Sequence, residues 1–451
     1  MARPIIWATI LSCAIILYYH IRRRGVGSFH AGWMGVLLLA PCWFRVSPGD
    51  LLQLDVRSAA ALVILLALVL EPSPGGMRFR FVLSDLLVGM CFLEQVVSHF
   101  AGGEVTPTIP YNVMRDWLLP YVIGRLFIRG WWDLDRALPG ICIAATALAV
   151  LTILEGLSHI HLWYKLLGNY ETIWFADDAI RWGLRRPVGP QTHSIYLGLT
   201  LSMMVPWLLE AYRRSLAGRG PTWWRTALWV LLIGIFCSTS RGAQISACCV
   251  LAVDLFFRKV SWRPALSVLA VAAAICTVVM REEIVDVLSL YAGESKSEGL
   301  PILIDGVEYL YSGTHHRELL SIAYHEASEK AGLLGFGNPG KVPKPADLDS
   351  RLLSVDDHYL MWKLQYGDLG LVGFIALMLC VFYYLVMAAW PAAGPFAALA
   401  GGLVGAMIGL AVGMRSVWFA PDYGQVWLWS CGIAGSIHEV RLRVLQNGRQ
   451  G

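Results

Sequence analysis

The chain has 451 residues, 57% of them hydrophobic and only 15% charged, with a mean hydropathy of +0.57 and a formal net charge of +4. A soluble domain carries about 25% charged residues, and apolar stretches of membrane-spanning length recur here from end to end, which a bilayer accommodates and a water-soluble core does not. The composition therefore predicts an all-α, polytopic transmembrane helical bundle, with no nucleic-acid partner.

The first apolar segment, PIIWATILSCAIILYYHIRRR, carries its positive charge after the run and has no small-residue cleavage pattern, so it reads as a retained helix. Further spans are predicted at 31–46, 57–71, 82–100, 112–129, 137–156, 192–210, 226–239, 243–257, 264–280, 366–388, 394–413 and 424–438, after the first at 5–20. That is about 12–14 spans. The loops IRRRGVGSFH, GGMRFR, YRRSLAGRGPTWWR and RKVSWRP and the tail RLRVLQNGRQG are basic and fall on one side if the spans alternate, which makes that side cytoplasmic. The ten cysteines sit almost all inside apolar runs, with neither a CxxC pair nor a Cys/His spacing of zinc-binding type, and read as small core residues. No cofactor is expected.

Three parts follow: N-terminal membrane helices over 1–280, a large external loop over 281–365, and C-terminal helices with a basic tail over 366–451. The loop has a helical pattern closed by glycines, then a Pro/Lys/Asp-rich stretch, and suits a lid better than an independent domain.

On this topology Arg115, Arg185, Arg186, Arg241, Arg317 and Arg415 collect at the external membrane boundary, against the positive-inside bias. Arg241 lies in CSTSRGAQIS, a turn between two apolar segments with no carboxylate nearby in sequence. A guanidinium fork matches phosphate oxygens and keeps its charge when partly desolvated, which suggests the head group of a lipid diphosphate. The plainer alternative is snorkelling to phospholipid or pairing with Asp356, Asp357 or Glu318. In SVDDHYLMWKLQYGDLGLVGF, His358 sits at the mouth of a span, where an imidazole can take a hydroxyl proton and Asp356 or Asp357 can orient it. RRPVGPQTHSIYLGL places Arg186, Gly189 and His193 at the start of another span, as a bent loop over a ligand or simply a helix start. HHRELLSIAYHE lacks HExxH spacing, STSRG is not GxSxG, and the two DLD runs read as solvated loop charges. Trp163, Tyr164, Trp174 and Trp418 suit either sugar stacking or an interfacial belt.

TSRGA, RPVGPQTHSIYLG and the distal HRELLSIA, LLGFGN and VDDHYLMWKLQYGDLGLVGF, in that order, resemble the O-antigen ligase and Wzy-type polymerase superfamily over roughly residues 80–435. The resemblance implies a GT-C-like multi-pass enzyme of the bacterial inner membrane with its active site facing the periplasm. Such enzymes move glycan from an undecaprenyl diphosphate carrier to a hydroxyl, here of a glycan or lipid A-core acceptor, and no metal or cofactor is implied. It implies that Arg241, Arg317 and His358 carry catalysis and that Arg186 and His193 match a substrate-binding motif; the external charge pattern adds Arg185, Asp357 and Arg415 to the substrate-binding set. The histidine of the ligases is followed by Asn, Ser or Gln where Tyr359 stands here, and Gly367, Gly370 and Gly373 fit the glycine spacing only approximately. Ligase and polymerase both stay open, as do a transporter of lipid-linked glycan and a non-catalytic assembly component.

Overall fold

The structure is a computed structural model that describes residues 2–24, 29–41, 43–46, 53–70, 80–167, 180–268, 300–304, 306–311, 315–345, 348–390, 394–418 and 421–447. Most of the predicted span at 264–280, the first part of the 281–365 loop, Trp174 and Asp347 lie outside the described residues.

Helices α1 (Ala2–Arg24), α2 (Phe29–Leu39) and α3 (Val56–Leu70) come first, with β1 (Arg45–Val46) and β2 (Leu54–Asp55) paired antiparallel between α2 and α3. Then come α4 (Leu83–Ala101), α5 (Thr108–Val113), a π-helical turn at Met114–Leu118 and α6 (Leu119–Phe127). They are followed by α7 (Trp131–Ser158), α8 (Leu162–Leu167), the hairpin of β3 (Ile180–Arg181) and β4 (Leu184–Arg185), α9 (Ser194–Leu216), α10 (Trp223–Cys237) and α11 (Arg241–Arg258). After them the chain forms the β5 (Leu300–Ile304) and β6 (Val307–Tyr311) hairpin, α12 (His316–Ala323) and α13 (His325–Lys330). It ends in α14 (His358–Ala389), α15 (Ala397–Gly413) and α16 (Pro421–Asn447).

Each predicted span that falls on described residues coincides with helix, although α2 stops at Leu39, well short of the predicted 46. Among the described residues five helices, Leu83–Ala101, Trp132–Ser158, Ser194–Leu216, His358–Ala389 and Ala397–Ser416, are long and apolar enough to cross a membrane, and four shorter apolar ones accompany them. The side-chain pattern agrees with a lipid solvent. On α4, Leu86, Met90, Leu93 and Val97 are exposed at helical spacing, while Ser84, Gln95 and Ser98 are buried. A soluble helix has the reverse arrangement; apolar residues outward and polar residues inward is what a bilayer selects.

Small residues set the packing, as expected where apolar burial gives helices little drive to associate. α15 runs between α9 and α11 with glycines at four-residue spacing. A β-carbon on Gly405 would lie 2.6 Å from the Val250 Cα, and one on Gly409 2.5 Å from that of Ser246. Likewise α6 crosses α16 in backbone contact at Gly124 and Gly432. At one end of this crossing Arg125 is 3% exposed and bonds the Asp85 carboxylate at 2.7 Å and that of Glu439 at 3.1 Å. Removing one partner of a buried ion pair costs about 3–5 kcal/mol, because it strands the other charge. Arg125→Ala is thus expected to lower the thermal unfolding midpoint in detergent markedly, and an unchanged midpoint would show that Asp85 and Glu439 are hydrated.

The two ends of the bundle differ. Arg80, Arg213, Arg214, Arg225, Arg258, Arg263 and Arg443 occupy one end, many of them paired there, as Arg213 and Arg258 are with Asp254. Asp133 of the first DLD run belongs to it as the cap of α7, accepting from Gly130 N at 3.0 Å, and Asp135 pairs with Arg214. The other end gathers the starts of α9, α11, α14 and α16 and the ends of α10 and α15. Ile302, Leu320, Tyr324 and Leu352, with other described residues of the long loop, build a small core there, closed by Leu364 of α14.

Candidate functional site

The site depends on a chain reversal in α14. His358 and Phe374 lie sixteen positions apart, which in a straight helix is about 24 Å, yet their rings are 4.7 Å apart. The break is at Gly367, with φ 67° and ψ −165°, a conformation open essentially to glycine alone. The limb before it folds back onto the limb after it, and the Trp362 indole N–H donates to the Gly370 carbonyl at 2.8 Å.

A broken helix in an apolar surrounding must have its freed backbone groups satisfied by protein. The glycine-rich run 332–337 supplies that. Phe336 N donates to Leu364 O at 2.9 Å and Gly337 N to Gln365 O at 2.7 Å, while Asp368 N and Leu369 N donate to Gly332 O and Leu333 O at 2.9 and 3.2 Å. LLGFGN is therefore a strap across the reversal as well as the stop of α13.

Beside the first limb lies the arginine cluster. Asp357 caps α14, accepting from Tyr359 N at 2.9 Å and Leu360 N at 3.1 Å, and its other oxygen faces Arg415 Nε at 3.3 Å. Arg317, on α12, donates to the Ser416 carbonyl at 3.4 Å. Arg241 begins α11 behind its cap Ser240, and a β-carbon on the next residue, Gly242, would sit 3.8 Å from Ser416 Oγ. The turn after α15 therefore draws together arginines from three distant parts of the chain. Burial, with Arg241 and Arg415 close by, pulls the Arg317 pKa below its ordinary value, against the opposing pull of Asp356 and Asp357. Arg317 thus feels both the neighbouring guanidiniums of Arg241 and Arg415 and the carboxylates of Asp356 and Asp357, a mixed cluster whose arginines could also contact a bound anion.

The remaining predicted residues form an adjoining layer. Arg185 donates to His159 O at 2.5 Å from the β3–β4 hairpin, and Arg181 of the same hairpin donates to Thr239 O at 3.0 Å, in the turn that carries Arg241. Trp182 stacks on Phe236 at 5.7 Å and fixes the hairpin over that turn. Arg186 lies close enough to His193 to act on it electrostatically, and His193 caps α9 by accepting from Ile195 N at 3.1 Å. Thr192, beside it, donates N–H and hydroxyl to Asp422 at 2.7 and 2.5 Å, joining this layer to the segment that follows Arg415.

On the other side of His358 lies a cavity of about 220 Å³, lined by Asn112, Asp116, His358 and Gln365 and walled by Trp117, Trp362 and Trp418. His358 is 1% exposed and lines this cavity. Asp116 stands on the π-helical turn, a feature that often marks functional sites. Its carboxylate receives Arg115 through two bonds, at 2.9 and 2.7 Å, and the Gln425 amide at 3.2 Å.

Two expectations change. Arg115, predicted with the anion-binding set, is 3% exposed and committed to Asp116, with Asp55 at 3.7 Å, because the turn places both charges on one buried face. Neither aspartate orients His358: Asp357 serves the α14 cap and Arg415, and Asp356 faces His316 at 3.7 Å. Of the four tryptophans and tyrosines considered for sugar stacking, Trp418 lines the cavity and Trp163 lies on α8; the Tyr164 side chain and Trp174 lie outside the described residues.

Asn112, Asp116, Gln365 and Arg181 were not singled out from the sequence. The signal for Asn112 and Asp116 was polar residues inside an apolar run, YNVMRDWLL. The sequence matches no protein-family model and no curated protein.

Proposed function

We propose that the chain is a GT-C-like glycosyltransferase of the bacterial inner membrane that moves a glycan from undecaprenyl diphosphate to an acceptor hydroxyl, as O-antigen ligases and Wzy-type polymerases do. The observation that carries this reading is the convergence of Arg241, Arg317 and Arg415 on the Ser416 turn, next to the helix start that holds His358. The basic loops at the opposite end of the bundle support a cytoplasmic assignment for that end and a periplasmic one for the site and the 281–365 loop.

The acceptor oxygen attacks the anomeric carbon as the bond to the diphosphate oxygen breaks, and the diphosphate leaves with the electron pair. The guanidiniums oppose the charge growing on that oxygen, and such preorganised donors are worth about 3–4 kcal/mol each. His358 takes the acceptor proton, a role worth about 10²–10⁴ in rate. His316, on the loop with its imidazole toward Asp356, is not given this role. Burial pushes the His316 pKa down from its ordinary value, with Arg317 adding to the effect and Asp356 opposing it. His358→Ala is therefore expected to lose far more transfer than His316→Ala at equal expression, and the reverse order would move the base onto the loop.

The deciding experiment is the size distribution of surface and lipid-linked glycan in cells lacking the gene, complemented with wild type or Arg241→Ala. Single repeat units still attached, with long chains lost, identify a polymerase. Long chains stranded on the lipid carrier identify a ligase. A profile that Arg241→Ala restores fully would overturn the transferase reading in favour of transport or scaffolding.

A further inference from the structure

We propose that the cavity beside His358 is a saccharide subsite, holding one neutral sugar ring of the acceptor; this deepens the glycosyl-transfer reading and rests on it. The lining has the chemistry a pyranose needs. The Asn112 Oδ1 is buried without a hydrogen-bond partner among the described residues. The Gln365 carboxamide, on a residue only 7% exposed, bonds none of them. A buried amide oxygen held without a partner costs free energy unless something fills the space beside it, and the Gln365 carboxamide adds a donor and an acceptor to the same lining.

Asp116 adds a carboxylate whose position is fixed by Arg115 and Gln425, both of which bond Oδ1, while Oδ2 takes a single bond from Arg115 and can accept one further hydroxyl. Because Arg115 balances its charge, this wall does not select a charged ligand. The indole rings of Trp117 and Trp362, packed on each other at 5.0 Å, make part of the lining aromatic, as saccharide sites commonly are. A lipid tail would strand the amides, and a diphosphate would meet the Asp116 carboxylate with no arginine in the lining.

Size limits the ligand as well. At about 220 Å³ the space is smaller than the roughly 300–1,000 Å³ of pockets for drug-sized ligands, so it takes a single ring and leaves the rest of the glycan outside. The acceptor is favoured over the donor because the donor's first sugar is bound to the diphosphate and goes with the arginines. The hydroxyl to be deprotonated must instead reach His358, which this cavity exposes.

The test uses the full chain in nanodiscs, without lipid donor, and saturation-transfer NMR on the methyl glycosides of glucose, galactose, mannose and N-acetylglucosamine. At least one glycoside should show saturable transfer, weakened about tenfold or more, the worth of one good hydrogen bond, by Gln365→Met and by Asn112→Leu and unaffected by Arg241→Ala. In transfer assays Gln365→Met should raise the acceptor KM while leaving kcat and the donor KM nearly unchanged. No saturable signal from any of the four, or one that persists in both amide variants, overturns the subsite. If an amide variant does not accumulate, Met361→Phe fills the cavity from its wall and must abolish the signal. Glycoside binding without any transfer would leave the saccharide site standing and refute the transferase reading, whereas transfer without glycoside binding would do the opposite.

Discussion

Gly367→Ala is expected to destabilise the protein by about 3 kcal/mol or more, the sum of a residue forced into a glycine-only conformation and an overpacked contact, and to abolish activity in whatever remains folded. The contact is severe: a β-carbon at Gly367 would lie 2.3 Å from both the carbonyl carbon and oxygen of Leu333. Those atoms belong to the strap, so neither side chain rotation nor a small shift relieves the clash. The break would straighten or the strap would lift, and either movement carries His358 away from Phe374 and the cavity. The comparison that makes this specific is Gly373→Ala, whose β-carbon would meet only the Cys91 Sγ at 3.5 Å, an ordinary contact. Unfolding midpoints in detergent and surface-glycan profiles should separate the two variants clearly. Equal behaviour would mean that the reversal in α14 is not required.

Arg241→Lys is expected to lower transfer by about 10²–10³, the loss measured elsewhere when one preorganised oxyanion donor is removed, with normal membrane insertion. Lysine keeps the charge but presents a point donor where the site has a planar fork. The turn leading to Arg241 is held by Arg181 on Thr239 O and by the Ser240 cap, neither of which uses the Arg241 side chain. The fold should therefore survive the change, and the fault should appear in kcat. Transfer near the wild-type rate would remove Arg241 from the diphosphate site and leave Arg317 and Arg415 as the anion-binding pair.

The site was partly legible in the sequence. Arg241 and Arg415 stand out because a charge at the edge of an apolar run needs a reason, and Arg317 and His358 through the motifs of the resemblance; the structure brings the three arginines and Asp357 together. The glycine spacing around Gly367 is legible in the sequence but its geometry is not, since a positive φ leaves no mark on hydrophobic patterning. The pairing of Arg115 is hidden for a related reason. A buried arginine beside an aspartate looks the same in sequence whether the two side chains diverge or meet, and the π-helical turn at Met114–Leu118 makes them meet.

What the sequence determined by itself was the helical class, the placement of the described helices and the segregation of basic loops, because hydropathy and charge act locally and additively along the chain. Tertiary structure alone decided that α14 doubles back, that a strap from residues 332–337 completes its broken hydrogen bonds, and that Asn112, Asp116 and Gln365 share one cavity with His358. Each of these joins residues that are not sequence neighbours, the strap through backbone groups that every residue carries alike and the cavity through side chains met only after folding, so no local pattern encodes the pairing.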